Sequence, residues 1–290
     1  MFNRFRNSNS QYEILISAKP GIALPNVREV WQYRDLLFLF VQREFISKYR
    51  QTVLGPLWYI IQPLLLSGIF TVVFGNIAQL PTDGIPPVLF YLCGLATWGY
   101  FGHSFEGTAN SLVLNAHLMS KVYFPRLIAP LAAIASKFMM FFIQFSLFVI
   151  CYFYFKCFTQ VGAHLHFTNT IFFLPVLFLI AMSLSLGAGL LMAAATAKYR
   201  DLIHIIGFMI QLWMYATPII FPATQFPPKW RFLIFINPMA TVVEGVRLAF
   251  LGQGYWTNKC LFTAIGISVV VLILGLLAFA KTERNFIDTV

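Results

Sequence analysis

Long apolar runs alternate with short basic or polar segments along most of this chain. Six of the runs are long enough to cross a bilayer, whose hydrocarbon core of roughly 30 Å takes about 20 helical residues. The pattern predicts an all-α integral membrane protein with six transmembrane helices in a domain over 56–290. The predicted spans cover approximately residues 56–76, 87–110, 127–155, 171–197, 202–221 and 261–280.

A cytoplasmic segment over residues 1–55 is predicted to precede the first span. Within it, residues 30–47 place Val30, Leu37 and Phe45 near one helical face, while basic and polar residues interrupt the rest. This pattern predicts an amphipathic helix that lies in the cytoplasmic interface. A soluble N-terminal helix is the alternative, and it fits less well because the apolar face is broad.

Two connections between the predicted spans are more than turns. Residues 111–126 are mixed in polarity and predict either a plain turn or a short cytoplasmic helix. Residues 222–260 are too apolar for a solvated loop and too interrupted by Pro and Gly for a span. Because irregular backbone at membrane depth needs protein or water beside it, we predict two short helices here that re-enter the outer leaflet.

Composition and charge support this interpretation. Hydrophobic residues make up 59% of the chain and charged residues 10%, against roughly half and a quarter in soluble domains. The net charge of +10 could indicate nucleic acid, but the basic residues crowd the N-terminal segment and the ends of the apolar runs. We therefore predict no nucleic-acid partner.

The placement of Lys and Arg predicts the orientation. With the N-terminus in the cytoplasm, the inner segments hold fourteen of the twenty basic residues, the outer segments hold five, and Lys137 lies within the third span. Both termini are thus predicted to be cytoplasmic. The tripeptide Lys-Tyr-Arg occurs at residues 48–50 and 198–200, and both copies precede a span on the cytoplasmic side.

Signatures of catalysis are missing from the sequence. No Gly-Lys pair occurs, so there is no Walker A motif, and neither HExxH nor GxSxG is present. His164 and His166 are the only closely spaced histidines, and we predict no metal or cofactor in this chain. A membrane transferase acting on lipid-linked sugars stays a weak alternative, because it needs a cluster of acidic or His residues on one face.

Ionisable and amide side chains within the spans are few, and each has two interpretations. Glu106 and Lys137 could form a direct pair, or each could be satisfied separately. Gln62, Gln144 and Gln211 could hold helices together or contact a polar cargo, since an amide facing lipid is costly without partners. The sequence leaves both choices open.

Three stretches resemble a known family. YRQTVLGPLWYIIQPLL (Tyr49–Leu65) is similar to the entry to the first span in membrane subunits of type-2 ABC exporters, especially those for bacterial cell-surface polysaccharides. KYRDL and TPIIFP within 198–222, and INPMATVVEGVRLAFLG at 236–252, resemble the fifth span and the outer helices that follow it. The resemblance covers about residues 30–290.

The resemblance implies an architecture and a cargo. The subunit would form a homodimer in the bacterial inner membrane with two copies of a separate cytoplasmic ATPase, which would bind ATP and Mg. It would export lipid-linked polysaccharide, with O-antigen favoured. Capsular polysaccharide or teichoic acid is the next alternative, followed by a drug or small lipid carried by the same fold.

Candidate residues for the cargo form two groups. Basic and tyrosine side chains at headgroup level could bind a lipid phosphate, or they could serve only as membrane anchors; these are Lys48, Tyr49, Arg50, Lys198 and Arg200. Aromatic and amide side chains could line a pore, because sugar rings pack on aromatic faces, or they could serve in packing and interfacial belts. These are Tyr59, Gln62, Trp98, Tyr100, Phe101, Gln211, Trp213, Tyr215 and Phe221.

Two further groups concern energy coupling and gating. The resemblance implies that the interface helix and the inner connection receive the stroke of the ATPase, with Asn115, His117, Met119, Lys121 and Tyr123 as candidates. Glu244 and Arg247, in the second outer helix, are candidates for an outer gate.

Overall fold

The computed structural model describes residues 27–49, 52–119, 121–160, 162, 165–199 and 201–285. All regular structure within these ranges is helical. Eleven α-helices make up the bundle: α1 (Val27–Gln32), α2 (Arg34–Tyr49), α3 (Trp58–Phe70), α4 (Pro87–Ala109), α5 (Ser111–Met119), α6 (Ile128–Phe158), α7 (Leu174–Lys198), α8 (Leu202–Tyr215), α9 (Arg231–Ile236), α10 (Pro238–Leu251) and α11 (Asn258–Asn285).

The helix predicted over 30–47 is α2, and its apolar face packs on protein. Phe40 and Val41 are buried in a cluster with Phe124, Ile128 and Ala132, at and just before the start of α6. The rings of Phe40 and Phe124 lie 5.6 Å apart. On the opposite side, Phe38 and Leu39 are exposed. One face of α2 thus packs on the bundle and the other faces outward.

Helices occupy all six predicted span positions, and four are long and apolar enough to cross a membrane. Of the other two, α8 has 14 residues, or about 21 Å at 1.5 Å per residue, which is short for a crossing. The six-span count stays a prediction. The four qualifying stretches are Gly55–Ile77, Ile128–Phe158, Asn169–Lys198 and Asn258–Thr282.

The other predicted span outside this set of four is occupied by α4, which is the central helix of the bundle. It contacts α3, α6, α7, α8 and α10, and Leu89, Tyr91 and Phe101 are fully buried along it. Thr97, Ser104 and Thr108 are buried on it as well, and the hydroxyl of Thr97 donates to the carbonyl of Cys93 at 2.9 Å. Because protein surrounds α4, it tolerates polar side chains that a lipid-facing helix would not.

Close packing of α7 depends on two glycines. A Cβ added at Gly187 would lie 2.6 Å from the Cα of Leu272 in α11, and one at Gly189 would lie 2.5 Å from the Cβ of Thr108 in α4. Without side chains at these positions, three helix backbones approach one another within the subunit, as small residues allow in membrane bundles.

The outer segment 222–260 contains two helices, α9 and α10, where two were predicted. Apart from Leu248, every residue of α10 is buried, and the helix contacts α4, α7 and α11. It begins at the cap residue Asn237 and ends at Gly252, whose φ of +71° favours glycine. The depth of these helices in a bilayer stays a prediction.

We expect Gly187→Leu to destabilise the bundle by at least about 2 kcal/mol, because the new side chain would overlap the α11 backbone. The measurement is the midpoint of thermal unfolding of the purified protein in detergent. Gly266→Leu is the matched control, since Gly266 is exposed on α11 and nothing lies within 4 Å of its added Cβ. Equal midpoints for the two variants would contradict the packing described above.

Candidate functional site

A cavity of about 330 Å³ lies among α3, α4, α6 and α8, and we call it the central cavity. Its lining runs from Leu95 to Glu106 on α4, or about 16 Å along the helix at 1.5 Å per residue. Glu106 lies at the end of α4 that the charge distribution assigns to the cytoplasm. The cavity therefore runs from that end toward the middle of the bundle.

Glycines keep the wall of the central cavity open. Gly99 and Gly102 line it on α4, and Gly207 lines it on α8. A Cβ at Gly99 would lie 3.3 Å from Oε1 of Gln144, and one at Gly102 would lie 3.2 Å from Ile210. An added Cβ at Gly207 would have nothing within 4 Å, so this position faces open space.

The polar lining consists of amides, a histidine and one carboxylate. Gln62 and Gln144 approach from α3 and α6, and Trp98, His103 and Glu106 come from α4. Gln144 is buried, whereas Gln62 and Glu106 are exposed. The cavity thus offers hydrogen-bond donors, acceptors and an aromatic surface together.

A buried ion pair lies beyond the outer end of the cavity. Arg247 donates from Nη1 to Oε1 of Glu244 at 3.0 Å and from Nη2 to the carbonyl of Ile219 at 2.8 Å, and Nη1 also donates to the carbonyl of Pro218. The guanidinium carbon stands 3.7 Å from the ring centroid of Phe90. Both members of the pair are almost fully buried.

Glu244 connects the ion pair to two loops. Its Oε1 accepts from the backbone N–H of Ala223 at 3.2 Å, and its Oε2 accepts from that of Tyr255 at 2.9 Å. A Cβ added at Gly94, next to the cavity residue Leu95, would lie 2.9 Å from Nη2 of Arg247. The pair therefore lies against α4 one residue before the stretch that lines the central cavity.

Asn237 forms a second link between α8 and α10. Its Oδ1 accepts from Nε1 of Trp213 at 3.0 Å and from the backbone N–H of Met239 at 3.1 Å, and its Nδ2 donates to Oγ1 of Thr217 at 2.8 Å. One amide thus caps α10 and holds the end of α8. Together with the Glu244–Arg247 pair, it fixes residues 216–223, and we call these contacts the outer clamp.

At the other end of the bundle, two consecutive residues of α2 contact different helices. Glu44 forms an ion pair with Lys137 of α6 and accepts from Oγ of Ser136 at 2.6 Å. Arg43 donates from Nη2 to Oδ1 of Asn115 in α5 at 2.6 Å. We call these contacts the α2 bridge, because they join α5 to α6 through α2.

The α2 bridge corrects one of the two interpretations of Lys137. Its ammonium pairs with the carboxylate of Glu44, which α2 supplies, and not with that of Glu106. Long side chains commonly extend to reach a partner in this way.

The predicted pore residues separate into several groups. Gln62 and Trp98 line the central cavity. Tyr100 and Phe101 are buried and do not line it: Tyr100 packs on Phe141 and Phe101 on Trp213, with ring centroids 5.3 and 4.8 Å apart. Their role in a pore stays a prediction. Aromatic packing between helices occupies these two side chains.

The other pore candidates lie elsewhere. Tyr59 is buried on α3, and Gln211 is exposed on α8 outside the residues that line the central cavity. Trp213 is held by Asn237. Tyr215 and Phe221 line a separate cavity of about 270 Å³ between the end of α8 and α9.

Most of the phosphate candidates cannot be located. Arg50 and Arg200 lie outside the described residues, as do the side chains of Lys48 and Tyr49 at the end of α2. Lys198 is exposed at the end of α7, with its Nζ 5.1 Å from the ring centroid of Tyr199. Their role in binding phosphate stays a prediction.

The coupling candidates lie on and just after α5. Asn115 is half-buried in the α2 bridge, and Met119 packs in clusters shared with α2 and α7. His117, Lys121 and Tyr123 are exposed. The inner connection predicted over 111–126 therefore contains a helix with one anchored face and one open face.

Gln144 and Glu106 were singled out from the sequence, as a helix or cargo contact and as a possible partner of Lys137, but neither was named as a pore candidate, and His103 was missed. One signal could have found His103 and Glu106: together with Gly99 and Gly102 they follow helical spacing, so they share one face of α4. Within the described ranges, no three His, Cys, Asp or Glu side chains come close enough to hold a metal ion.

Comparison with known proteins agrees with this geometry. A family model described as ABC-2 type transporter matches residues 35–251. The chain belongs to the ABC-2 type transporter family. This confirms the resemblance to type-2 ABC exporters that the sequence motifs indicated.

Two relatives are similar over nearly their whole length. The O-antigen export system permease protein RfbA of Myxococcus xanthus is 26% identical, over 91% of this chain and 98% of the relative. A protein of the same name from Klebsiella pneumoniae is 22% identical, over 88% of this chain and 94% of the relative. The ABC-2 family chain is thus matched as a whole subunit and not only through one motif.

We expect Glu244→Gln to lower the free energy of unfolding by about 3–5 kcal/mol, because it leaves a buried guanidinium without its counterion. The measurement is again thermal unfolding in detergent. Glu106→Gln is the matched control: it makes the same substitution at an exposed cavity residue and should leave the midpoint nearly unchanged. If both variants unfold at the same temperature, the outer clamp does not stabilise the fold.

Proposed function

We propose that this chain is the transmembrane subunit of an ATP-driven exporter that moves lipid-linked polysaccharide of the O-antigen type across the bacterial cytoplasmic membrane. Family membership supports transport, and the names of the two relatives support the cargo. The central cavity is the observation that carries the proposal. Its aromatic ring, amides and open glycine wall suit a chain of sugar rings better than a compact apolar drug.

The proposed assembly is a homodimer of six-span subunits with both termini in the cytoplasm. Helices α3 and α8 flank the central cavity and expose apolar side chains, among them Leu65 and Ile69 on α3 and Phe208 and Leu212 on α8. A second copy related by twofold symmetry would cover such faces. The two cavities would then join into one path, and two copies of a separate ATPase would bind ATP and Mg below it.

Polysaccharide can move through such a path in small steps. The face of Trp98 offers a surface on which a sugar ring can pack without a fixed hydrogen bond. Gln62 and Gln144 can each donate to and accept from sugar hydroxyls, so one repeat unit can replace another without leaving an amide unpaired. The Lys-Tyr-Arg segments at 48–50 and 198–200 are the proposed binding sites for the phosphate of the lipid carrier.

Energy coupling is proposed to pass through the α2 bridge. The exposed face of α5, with His117, is the proposed ATPase contact. Movement of α5 would reach α2 through Asn115 and Arg43, and it would reach α6 through Glu44 and Lys137. Because α6 also carries Gln144, the same helix connects the bridge to the central cavity.

The outer clamp is the proposed outer gate. It holds residues 216–223 across the end of the central cavity, so the path beyond Leu95 opens only when this loop moves relative to α10. Glu244 and Arg247 would then have to exchange their present partners for others.

We expect Gly207→Trp to abolish export, because the indole would enter open space in the central cavity and fill the path. The measurement is surface polysaccharide in cells that carry the chain and its ATPase partner, with the membrane level of the subunit monitored. Gly266→Trp makes the same change on the exposed face of α11 and should export normally.

Normal export by Gly207→Trp at normal membrane levels would contradict passage through the cavity. Loss of export by both tryptophan variants would point to assembly rather than to the path. If the same cells export a small apolar drug and no polysaccharide, the drug is the favoured cargo.

We expect Glu44→Lys to lower export per ATP hydrolysed by at least about fivefold, because a partly buried ion pair loses one partner and gains repulsion. Combining it with Lys137→Glu should restore the ratio, since the pair reforms with its charges exchanged. The measurements are ATP hydrolysis and export by the same reconstituted complex.

Asp35→Lys is the control for this charge change. Asp35 lies on the same helix in an exposed pair with Arg34, 3.9 Å apart, and exposed pairs contribute little. An equal loss in this variant, or no restoration by the double substitution, would argue against coupling through the α2 bridge.

A further inference from the structure

The central cavity has an electrostatic asymmetry that bears on its cargo. With histidine counted as neutral, Glu106 is the one charged residue among the described side chains that line the cavity, and no Lys or Arg accompanies it. Glu106 takes no part in the ion pairs Arg34–Asp35, Lys137–Glu44 and Arg247–Glu244. The lining therefore carries a net negative charge.

One lysine that reaches α4 beside Glu106 has its charge paired elsewhere. A Cβ added at Gly107, the residue after Glu106, would lie 3.4 Å from Cε of Lys137, so the lysine stem reaches α4 at this level. Its ammonium, however, is bound by Glu44, whose other oxygen accepts from Ser136. The α2 bridge thus neutralises the lysine outside the cavity.

The cation at the outer end is neutralised as well. Arg247 stands just beyond Leu95, but its guanidinium is occupied by Glu244 and by the carbonyls of Pro218 and Ile219. Both basic residues near the cavity are therefore paired with carboxylates outside its lining. Neither offsets the potential of Glu106 along the path.

We propose that the central cavity selects polysaccharides built of uncharged sugars, and that Glu106 is the residue that excludes polyanionic chains. The inference rests on the proposed function and names the chemical class of its cargo. It separates neutral O-antigen chains from teichoic acids and from capsular chains with acidic sugars.

Hydrogen bonding favours the same class. A carboxylate only accepts hydrogen bonds, and a sugar hydroxyl can donate to it. The carboxylate of a uronic acid and the phosphate of a teichoic acid also only accept at neutral pH. Against Glu106, an anionic group thus brings charge repulsion and no hydrogen-bond donor.

Repetition makes the selection effective for a polymer. Each repeat unit passes the same carboxylate, so a chain with one acidic sugar per repeat meets the same barrier at every step. The lipid carrier bears its phosphate charge only once per chain. A modest barrier at Glu106 can therefore slow an anionic polymer along its whole length and still admit the carrier.

The experiment compares two polysaccharides in cells that carry the full-length chain with its ATPase partner. One is a neutral homopolymer, and the other is the same backbone with a uronic acid in each repeat, both on the same lipid carrier. Surface polysaccharide is quantified for the wild type, Glu106→Gln and Glu106→Ala. The alanine variant tests whether a change in export depends on the amide group that Glu106→Gln introduces.

We expect the wild type to export the neutral chain in preference to the acidic one. Both Glu106 variants should raise export of the acidic chain relative to the neutral chain by at least about fivefold, because the charge that repels anionic groups is removed. Glu29→Gln, the same substitution on α1 outside the cavity, should leave the preference unchanged.

The other outcomes would contradict either the selection proposal alone or the proposed function as well. If the wild type exports both chains equally, or if the Glu106 variants keep its preference, the selection proposal fails and the proposed function stands. If an assembled wild-type complex exports neither chain, the proposed function fails and the selection proposal fails with it.

Discussion

The buried pair of Glu244 and Arg247 is the constraint on which the outer half of this protein depends. A guanidinium without access to water must find its partners within the protein, and Arg247 finds them in a carboxylate, two loop carbonyls and the face of Phe90. Because those partners come from α4, from α10 and from the loop after α8, one side chain fixes their relative positions.

Charged side chains also hold α2 and α5 in place at the other end of the bundle. Helix α2 exposes much of its apolar surface, and α5 is a short connector, yet Glu44 ties α2 to α6 and Arg43 ties α2 to α5. The central cavity lies between the α2 bridge and the outer clamp.

The sequence predicted the helices well and the contacts between them poorly. Apolar run length locates a membrane helix within a few residues, as α6, α7 and α11 show against their predicted spans. A continuous apolar run does not reveal which face meets protein, so Tyr100 and Phe101 could not be distinguished from cavity residues. The pair of Glu44 and Lys137 was not predicted, because the two residues lie far apart along the chain.

Part of the candidate site was predictable for a physical reason. Gln62 and Glu106 were singled out because polar groups are costly in lipid, and both line the central cavity. That argument identifies residues that need a partner or a path, but it does not say which of the two applies. Lys137 and Glu106 illustrate the difference, because Lys137 forms an ion pair with Glu44 whereas Glu106 lines the central cavity.

The shortness of α8 has a consequence for the thermodynamics of opening. Because the helix ends at Tyr215, the proposed path would be closed at its outer end by loop carbonyls held by a guanidinium rather than by another helical turn. Opening it would require no helix to unwind, but it would require new donors for the carbonyls of Pro218 and Ile219. Water or sugar hydroxyls can supply such donors, whereas hydrocarbon cannot, so a hydrated cargo would lower the free energy of its own exit.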